Sequence, residues 1–196
     1  MSNKLQKIIF FFLFGSIFNG CSLAPSMTRH ADPLSAEEHI ALGTAYDQQQ
    51  KKEEALQNYK AAVRIQSTSV AAWMTLGNAY FERKDFKPAE QCYRRVLKLV
   101  PHDPGASNNL AMVYLERNKN LKMADHLLNE ALRQPGTMRP YILDTLVNVY
   151  RVEGRYSDAF SVLHEAEVAA PSGDPAFLTQ LAISRDRLLQ ESKKNL

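Results

Sequence analysis

The chain has 196 residues, 45% of them apolar, and a formal charge of +3 from 24 Lys and Arg against 21 Asp and Glu. That balance excludes a disordered or collagen-like chain. Two Cys exclude a disulfide-rich scaffold and a CxxC-type zinc site, which needs four clustered ligands. The charge is too small to indicate nucleic-acid binding, and the length allows one domain or two small ones.

Residues 1–20 hold Lys4 and Lys7 and no acid, and an apolar run from Ile8 to Phe18 is broken only by Gly15 and Ser16. A basic start, a short apolar stretch and a small residue at its end read as a secretory signal. The run is well short of the ~20 residues a spanning helix needs. Asn19-Gly20-Cys21-Ser22 then resembles a bacterial lipoprotein cleavage box, with Phe18 and Asn19 departing from the usual Leu and Ala or Ser. The resemblance implies that Cys21 becomes the first residue and is lipidated through its sulfur and amine. Ser22 after it, in place of Asp, implies delivery to the outer membrane, facing the periplasm. Several acyl chains anchor stably where a single one does not. Residues 21–34, small, polar and containing Pro25 and Pro33, read as a tether. As a coil it reaches roughly 20 Å.

Beyond the tether the chain repeats. Tyr46, Tyr80, Tyr114 and Tyr150 recur at near-constant spacing, as do Leu42, Leu76, Leu110 and Leu146, and Ala55, Ala89, Ala124 and Ala159. The spacing is ~34 residues, the period of the tetratricopeptide repeat, a helix-turn-helix unit. The second repeat matches that pattern most fully, with Trp73, Leu76, Gly77, Tyr80, Ala89, Tyr93 and Pro101 in place and Val96 for the usual Ala. The first departs at His39 and Ser67, where a large apolar residue and Pro are expected. The third has Ser107 at the large position and one extra residue in each connection, which must fall in loops because a helix cannot absorb it without rotating its apolar face. The fourth has Leu143, Leu146, Tyr150, Ala159, Leu163, Ala166 and Pro171, with Val147 at the small position.

The pattern has a physical reading. Leu and Tyr at i and i+4 share one face of each first helix, and Ala with an aromatic or Leu forms the answering face of the second. Small residues at Gly43, Gly77 and Ala111 let the second helix approach. Pro101 and Pro171 stop second helices. Ser35 with Glu38 has capping-box spacing, while Asp103-Pro104 and Asp174-Pro175 read as N-cap plus first-turn proline. The expected fold is all-α: a right-handed α-solenoid of four helix pairs (residues 36–69, 70–103, 104–139 and 140–173), then a capping helix and tail at 174–196. Leu178, Leu181, Ala182, Leu188 and Leu189 are expected to face the array. Nine helices and no sheet follow.

Motifs for chemistry are missing. There is no GxxxxGK, GxGxxG or GxSxG sequence, and His164-Glu165 lacks the second His of a zincin motif. No metal or cofactor is expected, and no enzyme activity. Cys92 reads as a small buried apolar residue, since a nucleophile needs a base and a depressed pKa. Arg94, Arg95 and Lys98 read as a solvated outer face, short of the four to eight cations typical of lipid-recognition sites.

The resemblance to tetratricopeptide proteins implies a partner-binding groove lined by first helices. Carried onto this chain, the groove comprises Ile40, Thr44 and Asp47, then Met74, Asn78 and Phe81, then Asn108, Met112 and Leu115, then Tyr141, Asp144, Asn148 and Arg151. Met and aromatic side chains adapt to varied partners, and Asn offers donor and acceptor to a peptide backbone. The chaperone-binding subclass holds a C-terminal carboxylate with two Asn and three cations. Asn78 and Asn109 match its Asn pair, but Met74, Tyr141 and Thr145 occupy its cation positions, so carboxylate capture is not expected. The expected protein is a lipid-anchored scaffold for a protein or peptide partner, similar to the pilotins of type IV pilus assembly. Adaptors for cell-wall hydrolases and polysaccharide-export scaffolds are the alternatives. The oligomeric state is left open.

Overall fold

The computed structural model describes residues 32–171 and 173–194. The secretory signal, Cys21 and most of the tether lie outside the described residues. A compact unit spans Leu34–Leu196. Its described residues form nine helices and no strand: α1 (Ala36–Gln48), α2 (Lys52–Ile65), α3 (Val70–Glu82), α4 (Phe86–Leu99), α5 (Pro104–Glu116), α6 (Leu121–Leu132), α7 (Arg139–Val152), α8 (Tyr156–Ala169) and α9 (Pro175–Lys194). None is long and apolar enough to cross a membrane.

The starts of three of these helices follow local chemistry that the sequence announces. Ser35 Oγ accepts from the Glu38 amide at 3.1 Å, and Glu38 Oε2 accepts from the Ser35 amide at 2.7 Å, closing the capping box. Asp103 caps α5 through the Ala106 amide (2.7 Å), and Asp174 caps α9 through the Phe177 amide (2.9 Å), each with proline in the first turn. The turn inside each pair places one residue in the left-handed region, Gln50, Lys84, Asn118 and Gly154, with φ of 61°, 61°, 45° and 74°. The third repeat's extra residue falls in its turn 117–120, where Asn120 is also left-handed (φ 57°), against 49–51, 83–85 and 153–155 elsewhere. Its second insertion lengthens the connection 133–138.

Each helix packs on the next, and consecutive first helices also touch (α1 with α3, α3 with α5, α5 with α7), whereas consecutive second helices do not. The stack therefore curves towards its first helices, which form an inner face. Between layers lie the repeated small and aromatic residues: Ala55, Ala89, Ala124 and Ala159 are buried, as are Tyr59, Tyr93, Leu128 and Leu163.

Two of these positions are coupled by volume. A Cβ on Gly43 would lie 2.4 Å from the Tyr59 ring, and one on Gly77 would lie 2.7 Å from the Tyr93 ring. Where the small residue is Ala111 or Val147, the facing side chain is Leu128 or Leu163. Glycine thus accompanies tyrosine, and a larger residue accompanies the smaller leucine, as a close-packed interior requires.

The ends of the stack depart from the pattern. Leu76 is 4% exposed because α2 covers it, but its first-repeat equivalent Leu42 is 38% exposed, since no helix precedes α1 among the described residues. His39 is buried and its Nδ1 lies 2.9 Å from Asn58 Oδ1, which gives that edge of the polar substitute a hydrogen-bond partner. The Ser67 carbonyl, at a position usually held by proline, accepts from Trp73 Nε1 (2.9 Å) and Arg95 (3.1 Å).

The capping helix meets the array with part of the expected stripe, Leu181 and Leu188, and with Phe177 and Ser184 in place of Leu178, Ala182 and Leu189. Phe177, Leu181, Ser184 and Leu188 are buried, while Leu178 (48%) and Leu189 (42%) are exposed and Ala182 with them. The reason is positional. Helix α9 packs on α8 and α7 as α3 packs on α2 and α1. The stripe turned towards the preceding repeat is buried, and the stripe that would receive a paired second helix has none among the described residues.

Candidate functional site

The inner face carries a concavity of about 270 Å³ between α3 and α5, lined by Asn78, Phe81, Glu82, Asn109 and Met112, with Tyr93 of α4 behind. Asn78 Oδ1 accepts from Tyr93 Oη at 2.8 Å and from Asn109 Nδ2 at 3.0 Å. Its oxygen is saturated, which leaves its two N–H groups as free hydrogen-bonding capacity. Burial pushes the Tyr93 phenol well above its ordinary pKa, so it remains a donor at physiological pH. Phe81 stands edge-on to Phe86 with centroids 5.7 Å apart, which fixes the apolar wall. Glu82 accepts from Lys52 at 3.0 Å, and Lys52 also pairs with Asp47 at 3.0 Å. These bonds, to Asp47 first, hold the Lys52 pKa above its ordinary value.

The structure divides the expected groove residues into five groups. Asn78, Phe81 and Met112 meet at the concavity. Ile40, Thr44 and Asp47 continue the same face on α1, where Thr44 Oγ1 donates to the Ile40 carbonyl (2.9 Å) and Asp47 accepts from Tyr59 Oη (3.2 Å). Met74 reaches across to α5, its Cε 3.5 Å from where a Gly105 Cβ would stand, and Leu115 packs against the core.

Asn108 requires a correction. It is 6% exposed, donates to Met112 Sδ at 3.7 Å, and leaves its Oδ1 without a partner. Asn109 is the residue that completes the amide pair with Asn78. The signal was present in the sequence, since Asn78 and Asn109 match the Asn pair of the carboxylate-binding subclass.

The fourth-repeat positions are occupied by the chain itself. The Tyr141 ring lies 4.8 Å from Phe177, and its Oη donates to Asp174 at 3.4 Å. Asp144 accepts from Ser184 Oγ at 3.3 Å, and Arg151 donates to both oxygens of Glu191 at 2.9 and 3.1 Å. Asn148 donates to the Asp144 carbonyl one turn back, at 2.9 Å. Tyr141, Asp144 and Arg151 thus join α7 to the capping helix, so the accessible inner face is that of α1, α3 and α5.

The outer layer supplies inter-repeat ties that the sequence did not announce. Arg83 reaches back to Glu53 of the preceding repeat (2.6 Å), Arg117 to Glu90, and Arg155 to Asp125 (3.0 Å). Arg94, expected in a solvated cluster, donates to Tyr114 Oη (3.0 Å) and pairs with Glu90 (2.8 Å). Cys92 is buried, and burial alone pushes its thiol up to about 12, which removes thiolate chemistry.

Comparison with known proteins agrees with this architecture. The tetratricopeptide repeat family matches residues 70–103, and a further family described as TPR repeat matches residues 43–84. Tetratricopeptide repeat-containing protein trd-1 of Caenorhabditis elegans is 30% identical over 138 residues, covering 68% of this chain and 17% of that protein. Protein O-mannosyl-transferase Tmtc3 of Drosophila melanogaster is 30% identical over 117 residues, covering 53% of this chain and 13% of that protein. The chain therefore spans less than a fifth of either relative. Among solved structures, MamA from Desulfovibrio magneticus RS-1 superposes with a TM-score of 0.65 at 19% identity, covering 81% of this chain and 88% of that one. A second MamA structure gives 0.61 at 19% identity, covering 68% and 77%. At that identity the likeness establishes the fold. The chain carries tetratricopeptide repeats folded as a solenoid with a capping helix, an architecture that typically serves as a non-catalytic scaffold for other proteins.

Proposed function

We propose that this chain is a non-enzymatic, membrane-tethered scaffold that holds a protein partner in the groove of its first three repeats, in a bacterial envelope assembly such as a type IV pilus or secretion machine. The observation that carries the binding site is the concavity between α3 and α5, where an oriented amide pair stands beside Phe81 and Met112. Oriented amides suit a peptide main chain, and the apolar wall suits a side chain seated beside it. Membrane attachment rests on the basic and apolar first twenty residues and on Gly20-Cys21. Crosslinked co-purification from membranes tests both parts. Cys21→Ala is expected to release the protein from the membrane fraction. Asn78→Ala with Asn109→Ala is expected to lose the crosslinked partner while membrane retention persists. Retention unchanged in the Cys21 variant with an uncleaved N-terminus sinks the anchor, and an unchanged partner set sinks the groove. Loss of pili on deletion supports the assembly role, whereas altered wall composition moves the assignment to a hydrolase adaptor.

A further inference from the structure

The three helices that line the accessible inner face carry charge of one sign. Helices α1, α3 and α5 carry Glu37, Glu38, Asp47, Glu82 and Glu116 and no Lys or Arg. Helix α4, in the outer layer, carries Lys87, Arg94, Arg95 and Lys98 against Glu90 alone. By helical spacing Glu37 shares the face of Ile40 and Thr44, and Glu116 shares that of Asn109 and Met112. Lys52 is tied to Asp47 and Glu82, whereas Glu37 and Glu116 are exposed and make no ion pair among the described residues.

A second, independent feature has the same sense. Asn108, more than nine-tenths buried beside the groove residue Met112, keeps an acceptor oxygen without a donor. An orphaned buried acceptor costs about 1–3 kcal/mol, and a donor from outside would recover it once the flexible Met112 side chain moves aside. The inner face therefore has acceptors to spare and no exposed cation on its three helices. A concave wall of one sign raises the local concentration of the opposite sign and repels its own.

We infer that the groove of the first three repeats takes a basic peptide segment, one that bears Lys or Arg and no acidic side chain and seats an apolar residue against Phe81 and Met112. The inference rests on the groove reading above and names the chemistry of its occupant. Recognition would be shared between the Asn78–Asn109 pair, which fixes the main chain, and Glu37 and Glu116, which select charge.

The test is selection of a phage-displayed random octapeptide library on the full chain purified in detergent, followed by affinity measurement on the resynthesised peptides. Selected peptides are expected to be enriched in Lys and Arg and depleted in Asp and Glu, and to bind more weakly as salt rises. Asn78→Ala with Asn109→Ala is expected to abolish their binding. Glu116→Lys, at an exposed site that carries no packing, is expected to weaken it by roughly threefold or more, the scale of an exposed charge pair. Peptides that need the amide pair but are neutral or acidic overturn the charge inference and leave the groove reading standing. Basic peptides indifferent to the amide pair overturn the groove reading, and recovery of no peptide counts against both.

Discussion

At the scale of the residue, the second repeat turns on a contact between a missing methyl and a ring. Alanine at Gly77 would bring its Cβ to 2.7 Å from Tyr93 and 3.1 Å from Cys92 Cβ. Helix propensity favours alanine by about 1 kcal/mol, but overpacking a dense core costs about 1–3 kcal/mol. Gly77→Ala should therefore lower the denaturant midpoint. Adding Tyr93→Leu should cost less than the two single changes summed, because Ala111 with Leu128 already shows the pair fitting. Strict additivity would show that the ring does not set the glycine requirement. Asp144 offers a pH test of the cap. Burial raises its pKa above 3.8, with the Ser184 hydrogen bond opposing. A carboxyl raised on folding contributes stability that is full below the unfolded pKa and lost as pH rises through the folded one. Asp144→Asn, which keeps the acceptor for Ser184, should melt higher than the parent at neutral pH. That advantage should vanish below pH 3.8. An Asn variant less stable at neutral pH would show that the Asp144 charge, drawn towards Arg187, is favourable in the fold.

At the scale of the element, α9 has two apolar stripes and only one is buried. Leu181 is enclosed against the array while Leu178 faces solvent. Leu181→Ala should cost about 2–5 kcal/mol, and Leu178→Ala should stay within about 0.5 kcal/mol, both read from denaturant midpoints. Comparable losses at the two sites would mean that something covers the Leu178 stripe in solution. The expected set Leu178, Leu181, Ala182, Leu188 and Leu189 follows from periodicity, and of these Leu181 and Leu188 are buried. Yet periodicity identifies a stripe without saying which neighbour it meets, and Phe177, which anchors the helix against Tyr141, breaks no rule of spacing. Helix starts were more legible. Ser35, Asp103 and Asp174 act on amides three residues away, so their effect is contained in the local sequence.

At the scale of the whole described unit, stability is distributed between neighbours. Each pair covers the previous one, and the ties from Arg83, Arg117 and Arg155 run one repeat back. The same arrangement gathers the acids of α1, α3 and α5, which carry no Lys or Arg, on one face. The near-neutral sum of the chain conceals that local excess of acid. Lys4 and Lys7 lie in the first twenty residues, and without them the formal side-chain charge falls from +3 to +1. The repeat period made the inner face legible, but α9 closes its fourth-repeat end through contacts such as Arg151 with Glu191 that no spacing announces.

The sequence by itself determined the helical repeat, its period, its caps and the residues that separate the two layers. Those properties depend on interactions within about one turn or on a pattern copied four times. Tertiary structure alone decided which residues stay open to a partner. It buried Asn108 beside Met112, and placed Tyr141, Asp144 and Arg151 against the capping helix. Accessibility is a relation between elements distant in the chain, set by how one helix rolls and docks on another, and a single sequence holds no local record of it.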